Sequence, residues 1–135
     1  MRRAAALLVA LAPAAAAATE PAQANYMLHC MGCHVSDGSG AAGKVPSVRD
    51  SLPRLVASAE GRRFLVQVPG ASQSTLTDAE LAAVLNWMVR TLSAAPLPAG
   101  FRDYSAAEVA SYRQAPLVDV SGTRARLLSP ARAGG

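Results

Sequence analysis

The sequence predicts a small all-α protein, and three observations support this class. A chain of 135 residues has room for one ordinary domain, or a small domain with appendages, which excludes barrels and long repeat arrays. The segment Asp78 to Leu92 carries apolar residues at helical spacing. The segment Ala22 to Cys33 contains no helix breaker before Gly32. Since only 4% of the residues are aromatic and much of the apolar content is alanine, the side chains alone predict a thin core.

The first element of the chain is a predicted export signal rather than part of the fold. Arg2 and Arg3 precede an apolar run at residues 4–12, and small-residue cleavage options follow. This pattern predicts a signal peptide at residues 1–18, with cleavage as late as residue 24 as a second option. The run at residues 4–18 is too short and too alanine-rich to span a bilayer well. We therefore expect an exported, periplasmic protein with no integral membrane span after signal removal.

The charge pattern excludes one class of partner. The formal net charge of +4 includes Arg2 and Arg3, which leave with the leader. Lys44 is the single lysine, and the arginines are scattered rather than clustered. Nucleic-acid binding normally requires a concentrated basic patch. The sequence therefore predicts no nucleic-acid partner, although a weakly basic face can steer an acidic protein partner.

The predicted helix that follows the leader ends in a motif with a specific chemistry. Residues 30–34 read C-M-G-C-H, which is the C-x-x-C-H attachment signature of c-type haem. Residues three apart lie on one face of a helix, so the thiols of Cys30 and Cys33 can meet two vinyl groups on one edge of a porphyrin. His34 follows directly and can bring its imidazole under the ring. We expect one covalent haem c, attached through Cys30 and Cys33, with His34 as the proximal iron ligand.

Three other roles for the cysteine pair fit the sequence less well. A thioredoxin-like redox pair needs a strand–helix–strand context, and none is visible around residues 25–45. A structural zinc site needs four ligands around a tetrahedron, but Cys30, Cys33, His34 and His29 are crowded into five neighbouring residues. A disulfide across two residues closes almost no loop and stabilises little. A non-haem zinc or disulfide module is therefore the remote alternative.

The middle of the chain connects this motif to the last clear helix. Residues 35–46 are rich in glycine and serine and predict a loop. Two short apolar-periodic segments follow at residues 51–59 and 60–68, and the second is equally compatible with a helix or a strand. Thr77 and Glu80 form a capping box that begins the helix Asp78 to Leu92. Pro96 and Pro98 end that element.

With these features in place, residues of about 20–93 resemble a class I c-type cytochrome. The resemblance implies a small all-α fold wrapped around one covalently attached haem. In that family an aromatic residue four positions before the first cysteine packs against an aromatic residue of the last helix, and Tyr26 and Trp87 match those places. A proline after the haem loop usually lends its carbonyl to the proximal histidine, and Pro46 matches it. The resemblance does not cover residues 95–135.

One departure from the family concerns the sixth iron position. Most class I members fill it with a methionine from the loop before the last helix, and residues 67–76 contain none. Met88 is the only plausible sulfur ligand, although its usual counterpart in the family is a packing residue. His29 is sterically poor as a ligand in the same molecule and fits a solvated helix position better.

The alternative is a weakly held or open sixth position. A side-chain oxygen of Ser72, Gln73 or Ser74 could occupy it. An open site permits binding of small molecules, and Arg62, Arg63, Gln67 and Gln73 are the polar residues that could then serve a distal pocket. None of these residues shows a pattern stronger than that of a surface residue.

The chain thus divides into a signal peptide at residues 1–18, a cytochrome domain at 19–94 and a C-terminal extension at 95–135. Ser105 and Glu108 form a second capping box, which predicts a short helix at about residues 105–113. Four apolar residues of this segment could dock it as a structural strap: Phe101, Tyr104, Val109 and Tyr112. The rest of the extension is predicted to be a flexible tail.

The predicted function is that of a periplasmic electron-transfer protein and not of an enzyme. We expect a monohaem cytochrome that shuttles single electrons between a dehydrogenase and a respiratory-chain acceptor. His/Met ligation would raise the potential and favour this role. The alternatives are a sensor or peroxidase-like enzyme with an open or weak sixth site, and a cytochrome subunit of a larger complex.

Overall fold

Eight helices form the part of the chain that the structure, a computed structural model, describes, namely residues 20–130. Within that range there is no strand, only an isolated antiparallel bridge between Ala41 and Val45. The prediction of an all-α fold is confirmed, whereas the predicted signal peptide lies outside the described residues. None of the described helices is both long and apolar enough to cross a membrane. The helices are α1 (Pro21–His29), α2 (Met31–His34), α3 (Leu52–Leu55), α4 (Ala59–Gln67), α5 (Pro69–Ser72), α6 (Asp78–Leu92), α7 (Ala106–Arg113) and α8 (Val120–Leu128).

Helices α1 and α2 are two parts of one attachment segment with a break at Cys30. Pro21 stands in the first turn of α1, where its missing N–H costs no hydrogen bond. Tyr26 of α1 is buried and packs against Trp87 of α6, with ring centroids 5.1 Å apart and ring planes inclined by 40°. The contact predicted between these two aromatic residues is therefore confirmed.

Helix α6 is the longest described helix and forms the centre of the core. It begins with the predicted capping box, in which Thr77 Oγ1 accepts from the Glu80 N–H and Glu80 accepts from the Thr77 N–H. These bonds satisfy N–H groups that a helix start otherwise leaves open. The predicted apolar face is buried along its whole length: Leu81, Val84, Leu85, Met88, Val89 and Leu92.

The ambiguous segment at residues 60–68 is a helix, α4. Ser58 caps it by accepting a hydrogen bond from the Gly61 N–H at 3.0 Å. Gly61 also lets α4 approach the end of α3 closely, because a Cβ at this position would lie 2.1 Å from the Leu55 carbonyl oxygen. Phe64 and Val66 are buried on the inner face. Tertiary packing and the cap decide between the two structures that the local sequence allows.

The first half of the C-terminal extension docks on this core. Ser105 caps α7 within the predicted bounds by accepting from the Glu108 N–H. The reciprocal half of the predicted capping box does not form, and the Glu108 carboxylate binds Arg62 and Arg102 instead. Tyr104 and Val109 belong to the same buried cluster as the α6 side chains, and Phe101 and Tyr112 pack against it. This arrangement is what the strap interpretation requires.

The second half of the extension differs from the prediction. The tail expected to be flexible after residue 113 contains helix α8, capped by Asp119, which accepts from the Gly122 N–H. Helix α8 packs against α3 and α4. Arg126 forms an ion pair with Glu60 at 2.7 Å, and Arg54 donates to the Leu128 carbonyl. The local sequence is a poor helix former, so these tertiary contacts account for the helix.

Candidate functional site

A cavity of about 320 Å³ lies between the attachment segment and the central helix. This volume falls in the usual range of small-molecule and cofactor sites. Its wall is predominantly apolar and is formed by α3, α4, α5 and α6 with the short segments that join α4, α5 and α6: Leu55, Phe64, Leu65, Val68, Ala71, Leu76, Leu81, Val84, Leu85 and Met88. The cavity therefore suits a large apolar group.

All three residues predicted to hold a cofactor line this cavity. Cys30, Cys33 and His34 stand on one helical turn, in which the Cys33 and His34 N–H groups both donate to the Cys30 carbonyl, at 3.2 and 3.0 Å. Both cysteines are free thiols, with Cys30 half-buried and Cys33 exposed. The turn thus brings two thiols and an imidazole to the rim of one apolar cavity.

The backbone around His34 is fixed from several directions. The Tyr26 hydroxyl donates to the Val35 carbonyl at 2.5 Å, and burial raises the pKa of Tyr26 to about 12. The hydroxyl therefore keeps its proton and this bond at neutral pH. Val35 ends α2 with a positive φ of 55°, and the Gly40 N–H donates to the His34 carbonyl at 3.1 Å. The imidazole is thereby held on an anchored turn.

The imidazole of His34 has an unused nitrogen. Its Nδ1 is buried and has no hydrogen-bond partner among the described residues. Burial also lowers the pKa of His34, which favours the neutral imidazole, the form that binds metals. Pro46, the predicted acceptor, lines the same cavity, but no hydrogen bond joins it to His34 in the structure.

These features fit a c-type haem better than a redox dithiol. Reactive thiol pairs have a lowered pKa, whereas burial and the neighbouring Cys33 raise the pKa of Cys30 to about 11. Among residues 20–130 no group of three or more His, Cys, Asp or Glu side chains is arranged to hold a metal ion. An apolar cavity, two thiols on one turn and a buried neutral imidazole match the chemistry of haem attachment.

The candidate ligands for the sixth iron position differ in whether they line the cavity. Met88 lines the cavity and is only 6% exposed, and it also belongs to the packed core. His29 lines the cavity too. Of the three oxygen candidates, Ser74 alone lines it, and its hydroxyl is engaged with the Ala71 carbonyl and with Arg113.

The four polar residues considered for a distal pocket do not line the cavity. Arg62 points to the C-terminal extension, where it pairs with Glu108 at 2.8 Å. The Arg63 guanidinium lies over the Tyr112 ring. Gln67 accepts a hydrogen bond from the extension through its backbone carbonyl, and Gln73 is exposed. In the described part of the chain these residues therefore do not form the polar distal pocket that the open-site alternative would use.

Two cavity residues were missed by sequence reasoning. Val120 and Arg124 of α8 line the cavity, although the tail was predicted to be flexible. The Arg124 guanidinium donates weakly to the Ser47 carbonyl at 3.4 Å. The apolar residues at 117, 120, 127 and 128 were the available signal, but they are too few to predict a buried helix face.

A helical fold with a C-x-x-C-H turn opening on an apolar cavity is typical of c-type cytochromes. Comparison with known proteins supports that class: the chain is 29% identical over 108 residues to cytochrome c-552 from Thermus thermophilus, which covers 67% of this chain and 82% of the relative. It is also 29% identical over 108 residues to a cytochrome c-552 from Thermus thermophilus strain DSM 579, which covers 67% of this chain and 73% of that relative. No family model matches the chain. The similarity is distant, and it confirms the resemblance to c-type cytochromes.

Proposed function

We propose that this protein is a monohaem c-type cytochrome that carries single electrons between redox proteins in the periplasm. One observation carries the proposal: the C-x-x-C-H turn opens on an apolar cavity large enough for a cofactor. The similarity to two cytochromes c-552 agrees with it. No substrate is chemically changed in this role, so the protein is proposed to be an electron carrier and not an enzyme.

The residues of the site would divide the work of holding the haem. Cys30 and Cys33 would form the two thioethers, and His34 would bind the iron through its neutral imidazole. The apolar wall contributed by α4 and α6 would exclude water from the cofactor. Bound haem would supply an iron that cycles between Fe(II) and Fe(III). The anchored turn at residues 30–35 would keep His34 in place during that cycle.

The sixth iron ligand is proposed to be Met88. Its thioether is buried and borders the cavity, and no other methionine of the described residues lines it. A His/Met pair raises the reduction potential of a haem and suits simple electron transfer. The proposal competes with a packing role, because Met88 also belongs to the core cluster.

The partners are proposed to be a periplasmic dehydrogenase as donor and a respiratory-chain complex as acceptor. Three exposed apolar side chains surround the attachment turn: Met27, Leu28 and Val35. Exposed apolar groups beside a functional site are typical of protein docking surfaces. Export through the N-terminal signal would place the protein in the periplasm with these partners.

A second function, binding of a small molecule at an open sixth position, is favoured by one observation. Helix α5 and the segment between α5 and α6 contribute Gly70, Ala71, Ser74 and Leu76 to the cavity, and none of these is a strong iron ligand. A sensor or peroxidase-like activity would follow from such a site. The third function, that of a subunit in a larger complex, has less support because residues 101–113 are committed to the chain's own core.

A redox titration of the purified holoprotein with added ligands separates these functions. An electron carrier is expected to show one reversible one-electron transition and a low-spin ferric spectrum. It is also expected to bind cyanide slowly and carbon monoxide poorly. A high-spin ferric spectrum with fast binding of either ligand would contradict the electron-carrier function and support an open sixth iron position.

A further inference from the structure

Helix α8 closes one side of the cavity and brings a cation to it. Val120 and Arg124 both line the cavity, and α8 rests on α3 and α4. Arg54 donates a hydrogen bond to the Leu128 carbonyl at the end of this helix. The Arg126–Glu60 ion pair is exposed, so it contributes little to the position of α8. The cavity wall therefore includes a segment that lies outside residues 20–93, whose motifs carry the resemblance to class I cytochromes.

The positive charge of Arg124 has no anionic partner among the described residues. Among the described residues no carboxylate lies within ion-pair distance of its guanidinium, and no other arginine or lysine lines the cavity. Its one hydrogen bond, to the Ser47 carbonyl, is long at 3.4 Å. Arg124 is partly buried, and a charged group that is removed from water is costly unless it is paired. Two acidic side chains at α8 are engaged elsewhere, since Glu60 pairs with Arg126 and Asp119 caps α8.

A haem would supply the anionic partner that Arg124 lacks, because it carries two carboxylate side chains. The two vinyl groups that form thioethers lie on one half of the macrocycle, and the two carboxylate side chains lie on the other half. Attachment at Cys30, at the break between α1 and α2, and at Cys33 of α2 would hold the vinyl half beside these helices and leave the carboxylate half for another side of the cavity. Helix α8 packs on α3 and α4, whereas α1 packs on α6. The guanidinium of Arg124 is thus available on a side of the cavity different from the attachment turn.

We propose that α8 completes the haem pocket and that Arg124 forms a charge-assisted pair with a haem carboxylate. The inference rests on the proposed haem function and assigns a role to the C-terminal extension. A guanidinium matches a carboxylate in two parallel hydrogen bonds. Its positive charge beside the haem destabilises Fe(III) more than Fe(II), because the ferric form carries one more positive charge. Arg124 therefore positions the cofactor and raises its reduction potential.

The test compares reduction potentials of holoprotein variants. Arg124→Met keeps the long apolar stem and removes the charge, whereas Arg126→Met removes an equal charge from the exposed side of the same helix. We expect Arg124→Met to lower the potential clearly more than Arg126→Met does. Arg124→Lys should recover part of the loss. Because Arg124 is half-buried, its effect should persist at high salt, while any effect of Arg126 should be screened.

A further measurement separates charge pairing from packing. Redox-difference infrared spectra should show a shift of the haem carboxylate bands in Arg124→Met and none in Arg126→Met. Equal potentials for Arg124→Met and Arg126→Met, or an unchanged carboxylate band in both, would overturn the inference while leaving the haem function intact. Absence of covalent haem from the parent protein would overturn both.

Discussion

At the scale of single residues, the site depends on the backbone that surrounds His34. Gly40 has a φ of +73°, and its N–H holds the His34 carbonyl. A Cβ on Gly40 would lie 2.3 Å from the Val45 carbonyl oxygen and 2.9 Å from that of Pro46. The loop that carries Pro46 can therefore approach the histidine turn only because residue 40 has no side chain.

Gly40→Ala is expected to destabilise the protein more than the matched variant Gly43→Ala. Both residues have a positive φ, so each alanine costs about 1–2 kcal/mol for the left-handed backbone. At Gly43 a Cβ would meet nothing within 4 Å, whereas at Gly40 it would collide with two carbonyl groups. Urea unfolding of the two holoproteins measures the difference. Equal losses of unfolding free energy would contradict the close approach at Gly40.

Met88→Leu tests the sixth ligand at the residue scale. The exchange nearly conserves volume, so its cost should stay below about 1.5 kcal/mol. If the Met88 sulfur binds the iron, the ferric sulfur-to-iron charge-transfer band should vanish and the potential should fall. Met27→Leu, at an exposed position of α1, is the control and should keep both. An unchanged band in Met88→Leu would remove Met88 from the coordination sphere.

At the scale of elements, α7 is tied to α4 by a buried ion pair. Arg62 and Glu108 approach to 2.8 Å, and their side chains are only 6% and 8% exposed. Arg62 also donates to the Arg102 carbonyl and lies over the Tyr104 ring at 4.0 Å. Removing one partner of such a pair leaves an uncompensated buried charge. The strap formed by α7 and the residues before it therefore contributes to the stability of the fold.

Glu108→Ala should lower the free energy of unfolding by about 3–5 kcal/mol. Asp103→Ala, which breaks the exposed pair with Arg90 at 2.7 Å, should cost about 0–1 kcal/mol. Chemical denaturation at pH 7 measures both. If the two variants lost the same free energy, the Arg62–Glu108 pair would not hold α7 in place.

The same pair predicts a dependence of stability on pH. Burial alone would raise the pKa of Glu108, but hydrogen bonds from Arg62 and Arg102 outweigh it, so the pKa lies below the ordinary value of 4.5. The folded protein then binds the Glu108 proton less readily than the unfolded chain. This contribution to stability is present above about pH 4.5 and is lost as the pH falls through the lowered pKa. Acid unfolding curves should show a smaller stability loss in Glu108→Ala than in the parent.

The sequence predicts some of these elements better than others. Helix α6 and the cap of α7 were predictable because their signals are local: a capping box and an apolar face. Helix α8 was not, since its residues include Gly122 and β-branched side chains and its order comes from contacts with Glu60, Arg54 and the cavity. The C-x-x-C-H motif indicated the attachment residues directly, whereas Arg124 carries no local signal at all.

At the scale of the whole molecule, the C-terminal extension and the proposed haem both add apolar groups to a thin core. The extension adds Tyr104 and Val109 to the cluster built on α6, and α8 adds Val120 and Arg124 to the cavity wall. A haem in the cavity would supply the large flat apolar group that an alanine-rich chain with 4% aromatic residues lacks. Small domains of this kind commonly depend on such a group for stability.

The most direct test of this account is whether haem stays on the polypeptide after denaturation. The full chain would be produced with the periplasmic haem-attachment machinery, denatured, extracted with acidic acetone and separated on a denaturing gel. The account predicts a haem-stained band at the mass of the chain and a pyridine spectrum typical of two thioethers. Cys30→Ser with Cys33→Ser should lose the band. Haem that is extracted completely from the parent chain, or never bound, would contradict the central claim.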